Sequence, residues 1–132
     1  MNSCSREGYP NMQFYYFFDT KYNVEQDFLK VVSTSTDTIP SKWKKYAIPF
    51  DFMDDKFIYF KADPEEILRI NFTGDSTRWA VENTCKVSLF GLFDGEKWIF
   101  NYDISSEEKE RIKKRLEIEI LSKMRHPYKK EE

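Results

Sequence analysis

Lys86–Phe93 (KVSLFGLF) and Lys97–Asp103 (KWIFNYD) stand on either side of Asp94-Gly95. Two apolar runs joined at Asp-Gly form the strongest short-range hairpin signal, because the turn needs positive φ and glycine adopts it without a Cβ clash. A tight turn leaves its strands antiparallel, so this stretch sets the fold class. Towards the N-terminus, Thr73–Ser76 (TGDS) and Asn83-Thr84 read as turns, and Thr77–Glu82 (TRWAVE) between them as a strand. Residues 67–73 (ILRINFT) alternate as a strand, entered through a short helical turn at 64–66 with Asp63 as cap and Pro64 in the first position. Residues 67–103 therefore predict an antiparallel meander. Gly91, inside one strand, marks a bulge or the close approach of another chain.

The flanks add two helices and two strands. Lys56–Lys61 (KFIYFK) reads as a strand. So does Gln13–Phe18 (QFYYFF), whose aromatics fall on both faces, as in a central strand or one half-exposed at a binding surface. Asn23 with Gln26 resembles a capping box opening a helix over Val24–Val32, ended by Ser33–Thr38 (STSTDT) and Pro40. Ser41–Tyr46 suits one or two helical turns, Phe50 and Phe52 a short extended piece, and Asp54-Asp55 a turn. Ser105 or Ser106 caps a last helix, with Glu107, Glu108 and Glu110 in its first turns and an end near Met124 or Arg125. Ile112, Leu116, Ile120 and Met124 recur every four residues, with Leu121 beside them, and mark the side that lies on the sheet.

The expected architecture is α+β: one domain, a mainly antiparallel sheet of five or six strands packed on a long C-terminal helix, and a smaller helix after the first strand. Residues 1–11 are expected as a poorly ordered leader, with Met12 as an alternative start, 12–126 as the domain, and 127–132 as a disordered tail. A length of 132 residues suits one domain. Aromatics at 17%, among 40% apolar residues, give so small a domain a substantial core.

Composition excludes several functions. Lys and Arg number 21 against 23 Asp and Glu, a net charge of -2, which does not suit a dedicated nucleic-acid binder. The chain has no 18-residue apolar run and no apolar stretch of secretory type near its start, so no membrane association and a reduced, cytoplasmic setting are expected. The sequon Asn71-Phe72-Thr73 is then a chance match. Two cysteines, Cys4 and Cys85, make no disulfide framework, and the single His126 excludes any site of two histidines.

Candidate chemistry is sparse. A nucleophilic Cys85–His126 pair needs a base held within hydrogen-bond reach, and His126 stands beside Pro127 in the expected tail. Cys85 reads instead as a small buried hydrophobe. Asp51, Asp54 and Asp55, with Asp63, Glu65 and Glu66, are the tightest acidic group, but their spacing reads as solvated loop rather than as ligands for a hard cation or as the paired carboxylates of a hydrolase. No metal, no cofactor and no catalytic residue is therefore expected. Arg111, Lys114, Arg115 and Arg125 on the last helix, and Trp43 among Lys42, Lys44 and Lys45, would be the sites of a nucleic-acid-binding accessory protein.

The leading expectation is a non-enzymatic protein-binding module. Size, a slight acidic excess and aromatic richness are of the kind found in small inhibitor or immunity proteins that neutralise a toxin, an analogy of composition alone. Its contact residues would be Tyr15 and Phe17, with Ile118 also off the main apolar stripe, and a rim of Asp51, Asp54, Asp55, Asp63, Glu65 and Glu66 facing a basic partner. The alternative is a small-molecule cup, or an enzyme built on one, lined by several of Phe57, Tyr59, Phe72, Trp79, Phe90, Trp98 and Phe100.

Overall fold

The computed structural model describes residues 11–51 and 53–131, so the expected leader, apart from Asn11, lies outside the described residues. Its strands are β1 (Gln13–Phe17), β2 (Asp54–Phe60), β3 (Glu66–Phe72), β4 (Cys85–Phe93), β5 (Trp98–Ile99) and β6 (Tyr128–Lys130). Its helices are α1 (Lys21–Ser35), α2 (Ser76–Val81) and α3 (Ser106–Glu119), with 3-10 turns at Ser41–Tyr46, Asn101–Asp103 and Leu121–Lys123. The strands form one six-stranded antiparallel sheet in the order β2-β3-β4-β1-β6, and β5 pairs with the far end of β4. The chain is thus a single α+β domain.

Alternation along each strand separates two faces. Tyr15 and Phe17, Ile58 and Phe60, Leu68, Ile70 and Phe72, and Val87 and Leu89 point to one face. Val24, Phe28 and Val31 of α1 and Ile112 and Leu116 of α3, with Ile120 beyond it, close over them as the main core. The four-residue recurrence in α3 thus gives the buried side, while Ile118 stays 65% exposed. Each fully buried side chain of this size contributes about 1.5–3 kcal/mol. On the opposite face the end away from α2 is covered: Trp43 and Tyr46 pack on Tyr59, Ile67 and Phe93 in a second cluster.

Glu66 fixes α3 to the sheet. Its buried carboxylate receives Arg111 Nη1 at 3.0 Å, Arg111 Nη2 at 2.7 Å and Arg115 Nη1 at 2.7 Å. The Arg115 guanidinium lies 4.2 Å above the Phe60 ring and also donates to the carbonyls of Pro64 and Ala62. Charge-assisted forks of this kind set orientation as well as attraction.

Several elements differ from their sequence readings. The stretch read as a strand at 77–82 is instead helical as far as Val81, because Asp75 Oδ1 accepts the Arg78 N–H as an N-cap and the Trp79 indole N–H reaches the Thr73 carbonyl at 3.1 Å. No helical turn precedes β3: residues 62–64 are a bend, and Glu66 already pairs with Phe60 as the first residue of the strand. Asp54 and Asp55 belong to β2 rather than to a turn. The cap of α1 is Thr20, not Asn23, and the helix continues through Ser33, Thr34 and Ser35. Hydroxyls of Ser33, Thr34 and Thr36 bond back to carbonyls of Lys30, Val31 and Val32, so the polar run closes the last turn instead of breaking it.

The Asp-Gly hairpin forms at Asp94–Lys97, with Gly95 at φ 104° and Asp94 Oδ1 accepting the N–H groups of Glu96 and Lys97. Its second strand ends after Ile99, earlier than the apolar run suggests. A bulge does occur: Arg69 faces Gly91 and Ile70 faces Leu89, which leaves Phe90 as the extra residue. The tail beyond residue 126, expected as disordered, forms β6 on the free edge of β1. Tyr128 packs edge-on against Tyr15 at 5.6 Å, the Glu131 N–H donates to the Phe14 carbonyl at 3.0 Å, and Lys130 pairs with Glu117 at 3.1 Å.

Candidate functional site

The sheet face opposite the helices is bare over β1 and the adjoining part of β4. Because Tyr15 and Phe17 face the core, Phe14 and Tyr16 face the other way, and the register puts Lys86 directly beside Tyr16. Lys86 Nζ lies 4.1 Å from the Phe14 ring centroid and 5.4 Å from that of Tyr16, an aromatic-supported cation. Asn71, Thr73 and Phe90 continue this floor. Walls rise around it. Phe50 and Met53 stand on the β2 side, Arg78 and Trp79 of α2 with Glu82 just past it at one end, Asn101 at the other, and Asn11 and Glu131 beside β1. The result is a half-open groove of about 1110 Å³.

The Phe50 wall is anchored from beneath. Arg69 and Asp55, diagonal to each other across β2 and β3, are both buried, with Arg69 Nη2 2.9 Å from Asp55 Oδ2. Arg69 also donates to the Ile48 carbonyl at 2.9 Å, and Asp55 accepts the Phe50 N–H at 3.0 Å and Asn71 Nδ2 at 3.2 Å. The guanidinium is enclosed by Phe50, Phe57 and Trp98 at 4.1, 5.1 and 5.1 Å. Phe90 meets Phe50 and Phe100 edge-on at 6.2 and 5.7 Å, and what lies over Gly91 is Phe100 of the same chain.

Charges along the groove are matched in pairs. Arg78 pairs with Glu82 at 3.2 Å, and Lys86 with Glu131 at 3.9 Å. Between them lie the amides of Asn11, Asn71 and Asn101 and the hydroxyls of Thr73 and Thr84. Large apolar side chains are exposed beyond the rims: Phe18, Tyr22 and Val81 at the α2 end of the sheet, Ile48 and Tyr102 at the other.

The structure redistributes the residues singled out from sequence. Tyr15 and Phe17 are not surface residues: they are 0% and 1% exposed, and Tyr15 donates to Glu117 at 2.8 Å. Burial, then that bond, pushes the Tyr15 hydroxyl well above its ordinary pKa. The acidic group does not form one rim. Asp55 is held by Arg69, Glu66 by Arg111 and Arg115, and Glu65 by Lys42 at 3.4 Å and the Tyr59 hydroxyl. Asp54 joins a quartet with Lys21, Lys56 and Glu25 at 2.6–3.1 Å. Burial opposes each of these four charges, yet pairing outweighs it, holding Glu25 and Asp54 below the usual carboxylate range and Lys21 and Lys56 above the usual lysine value. Among the described residues, Asp51 and Asp63 alone of the six have no ion pair.

The other candidates are dispersed as well. Of the seven proposed cup residues, Trp79 and Phe90 alone line the groove. Phe72 belongs to the main core, Phe57, Tyr59 and Trp98 fill the second cluster, and Phe100 covers Gly91. Trp43 is buried edge-on against Tyr59 and Phe93, so it offers no stacking face to a base. Asn71 of the sequon is buried. Burial pushes the Cys85 thiol up to about 12, and both ring nitrogens of His126 are engaged by carboxylates. Among the described residues no group of three or more His, Cys, Asp or Glu side chains is placed to hold a metal ion, and no helix is long and apolar enough to cross a membrane.

Sequence reasoning missed Phe14, Tyr16 and Lys86. The available signal was the strand's own alternation: once one aromatic set of QFYYFF is assigned to the core, the other must face outwards. Fold and groove together define a small α+β domain with one partly uncovered sheet face. The chain matches no protein-family model, no curated protein and no solved structure.

Proposed function

We propose that the chain is a non-enzymatic protein-binding module that works by covering part of a partner, as an inhibitor or immunity protein does, and that the groove over β1 and β4 is its contact surface. The observation that carries this reading is the bare sheet face with Phe14, Tyr16 and Lys86 along it and exposed apolar side chains beyond both rims. A groove open to solvent, with aromatic anchors inside a polar rim, fits a protein surface better than an enclosing ligand pocket does.

The partner chemistry follows from charge. Acids and bases along the groove neutralise each other, and the acids once expected to face a basic partner are mostly committed internally. The fitting partner segment is therefore uncharged, with apolar or aromatic side chains for the floor and backbone amides for Asn11 and Asn101. The commitment of Cys85 and His126 to other contacts supports a non-enzymatic role. The buried free thiol of Cys85 suits a reduced, cytoplasmic setting.

The test is a comparison of variants in affinity capture from native lysate with quantitative mass spectrometry. Phe50→Ser and Val81→Asp alter the groove wall and an exposed rim residue, and Ile118→Ser is a control on the far surface. A stoichiometric partner should fall by about tenfold or more with the first two and stay level with the third. A partner lost equally with Ile118→Ser, or a small molecule retained in native mass spectra in place of any protein, overturns the reading.

A further inference from the structure

His126 lies between two carboxylates. Its Nδ1 is 2.6 Å from Asp27 Oδ2 on α1, and its Nε2 is 2.8 Å from Asp19 Oδ2 in the β1–α1 turn. Ionised carboxylates only accept hydrogen bonds, so both contacts are satisfied together when both ring nitrogens carry protons, the imidazolium form. The His126 backbone N–H also donates to Asp27 Oδ2, at 3.0 Å. Two residues further on the chain becomes β6, and Glu131 just past it forms a wall of the groove, bonded to the Tyr16 hydroxyl and paired with Lys86.

We propose that His126 is a proton-operated latch for the C-terminal strap: its imidazolium ties residue 126 to α1 through Asp27 and to the β1–α1 turn through Asp19, which keeps β6 on β1, and loss of one proton to solvent frees the Asp19 tie, loosens β6 and draws Glu131 away from Lys86. The charged groups facing the ring are Asp27 from α1 and Asp19 from the turn before it. Deprotonation sets a bare ring nitrogen against a carboxylate oxygen, lone pair to lone pair. The Asp19 contact is the one that gives way, because Asp27 is more buried and still holds the backbone N–H. Hydrogen bonds donated to Asp27 and then to Asp19 raise the ring's pKa above its ordinary value, and the same contact with His126 holds Asp19 below its own. The latch is therefore closed below pH 6.5 and opens as pH rises through the raised value. Because Lys86 lies on the groove floor, opening also changes what the groove presents. The latch itself does not depend on the groove being a partner site.

NMR on the full chain tests this directly. The His126 ring is titrated, and hydrogen-exchange protection of the Glu131 amide, which donates to the Phe14 carbonyl, is measured at about pH 6 and pH 9 after correction for intrinsic rates. The ring should titrate above the ordinary histidine value. Protection of Glu131 should fall about tenfold at the higher pH, with β4 amides unchanged. His126→Gln should show low Glu131 protection at both pH values. Asp19→Asn, a milder change at a partly exposed residue, should weaken the pH dependence while leaving the fold intact. A ring that titrates at or below its ordinary value, or strap protection that changes less than about twofold across its titration, overturns the proposal.

Discussion

Replacing Arg69 with methionine is the sharpest test of how the groove wall is packed. Both members of the Asp55–Arg69 pair are buried, with side chains 0% and 3% exposed. Methionine has similar length and suits the cage of Phe50, Phe57 and Trp98, so little packing volume is lost. What is lost is the counter-charge of Asp55, and removing one partner of a buried ion pair costs about 3–5 kcal/mol. For a chain of this size 1 kcal/mol moves Tm by roughly 3–4 °C, giving a fall of about 10–20 °C. Domains are stable by about 5–15 kcal/mol in all, so the variant should fold but near its limit. Urea denaturation followed by tryptophan fluorescence measures the loss. The double variant Arg69→Met/Asp55→Asn should recover about half or more of it, because the orphaned charge is gone while the Phe50 N–H retains an amide oxygen. Amide exchange at Phe50 and Met53 should quicken in the single variant, since Arg69 no longer holds the Ile48 carbonyl. A single-variant cost under about 1 kcal/mol, or a double variant as unstable as the summed single changes, would falsify the claim that this pair anchors the groove wall.

Three further outcomes are expected. Gly91→Ala places a Cβ 3.1 Å from Phe100 Cε1, so it should destabilise by about 1–2 kcal/mol and be partly rescued by Phe100→Leu, as thermal melts would show. In a Cys4→Ser background, Cys85 should resist thiol reagents at pH 8 until urea unfolds the chain, because the thiol is buried and shifted up to about 12; rapid labelling of the native protein would contradict its placement. The depressed pKa values of Glu25 and Asp54 mean that their contribution is present above the unfolded carboxylate range and is lost as pH falls through the folded values. Lys56→Gln should therefore move acid unfolding, followed by circular dichroism, to higher pH, and an unmoved midpoint would refute the role of the quartet.

Local chemistry makes some elements legible in the amino-acid sequence. The Asp-Gly hairpin, the strand over 85–93 and the stripe of Ile112, Leu116 and Ile120 depend on glycine's conformational freedom and on side-chain period, both encoded within a few residues. Where two local readings competed, distant partners decided. Ser76–Val81 became a helix through the Asp75 cap and the Trp79–Thr73 contact, and Glu66 entered β3 because Phe60 pairs with it and two arginines of α3 neutralise it.

By itself the sequence determined the fold class, an antiparallel sheet under two helices, because hydrophobic period and turn chemistry are short-range properties. Tertiary structure alone decided which aromatics meet solvent and which acids stay unpaired. A strand's alternation names two sets of residues without saying which set is buried, so Tyr15 and Phe17 could exchange roles with Phe14 and Tyr16 until α1 and α3 covered one face. The same holds for charge: Glu66 and Asp55 are indistinguishable in sequence from solvated acids, and arginines 45 and 14 residues away make them part of the interior.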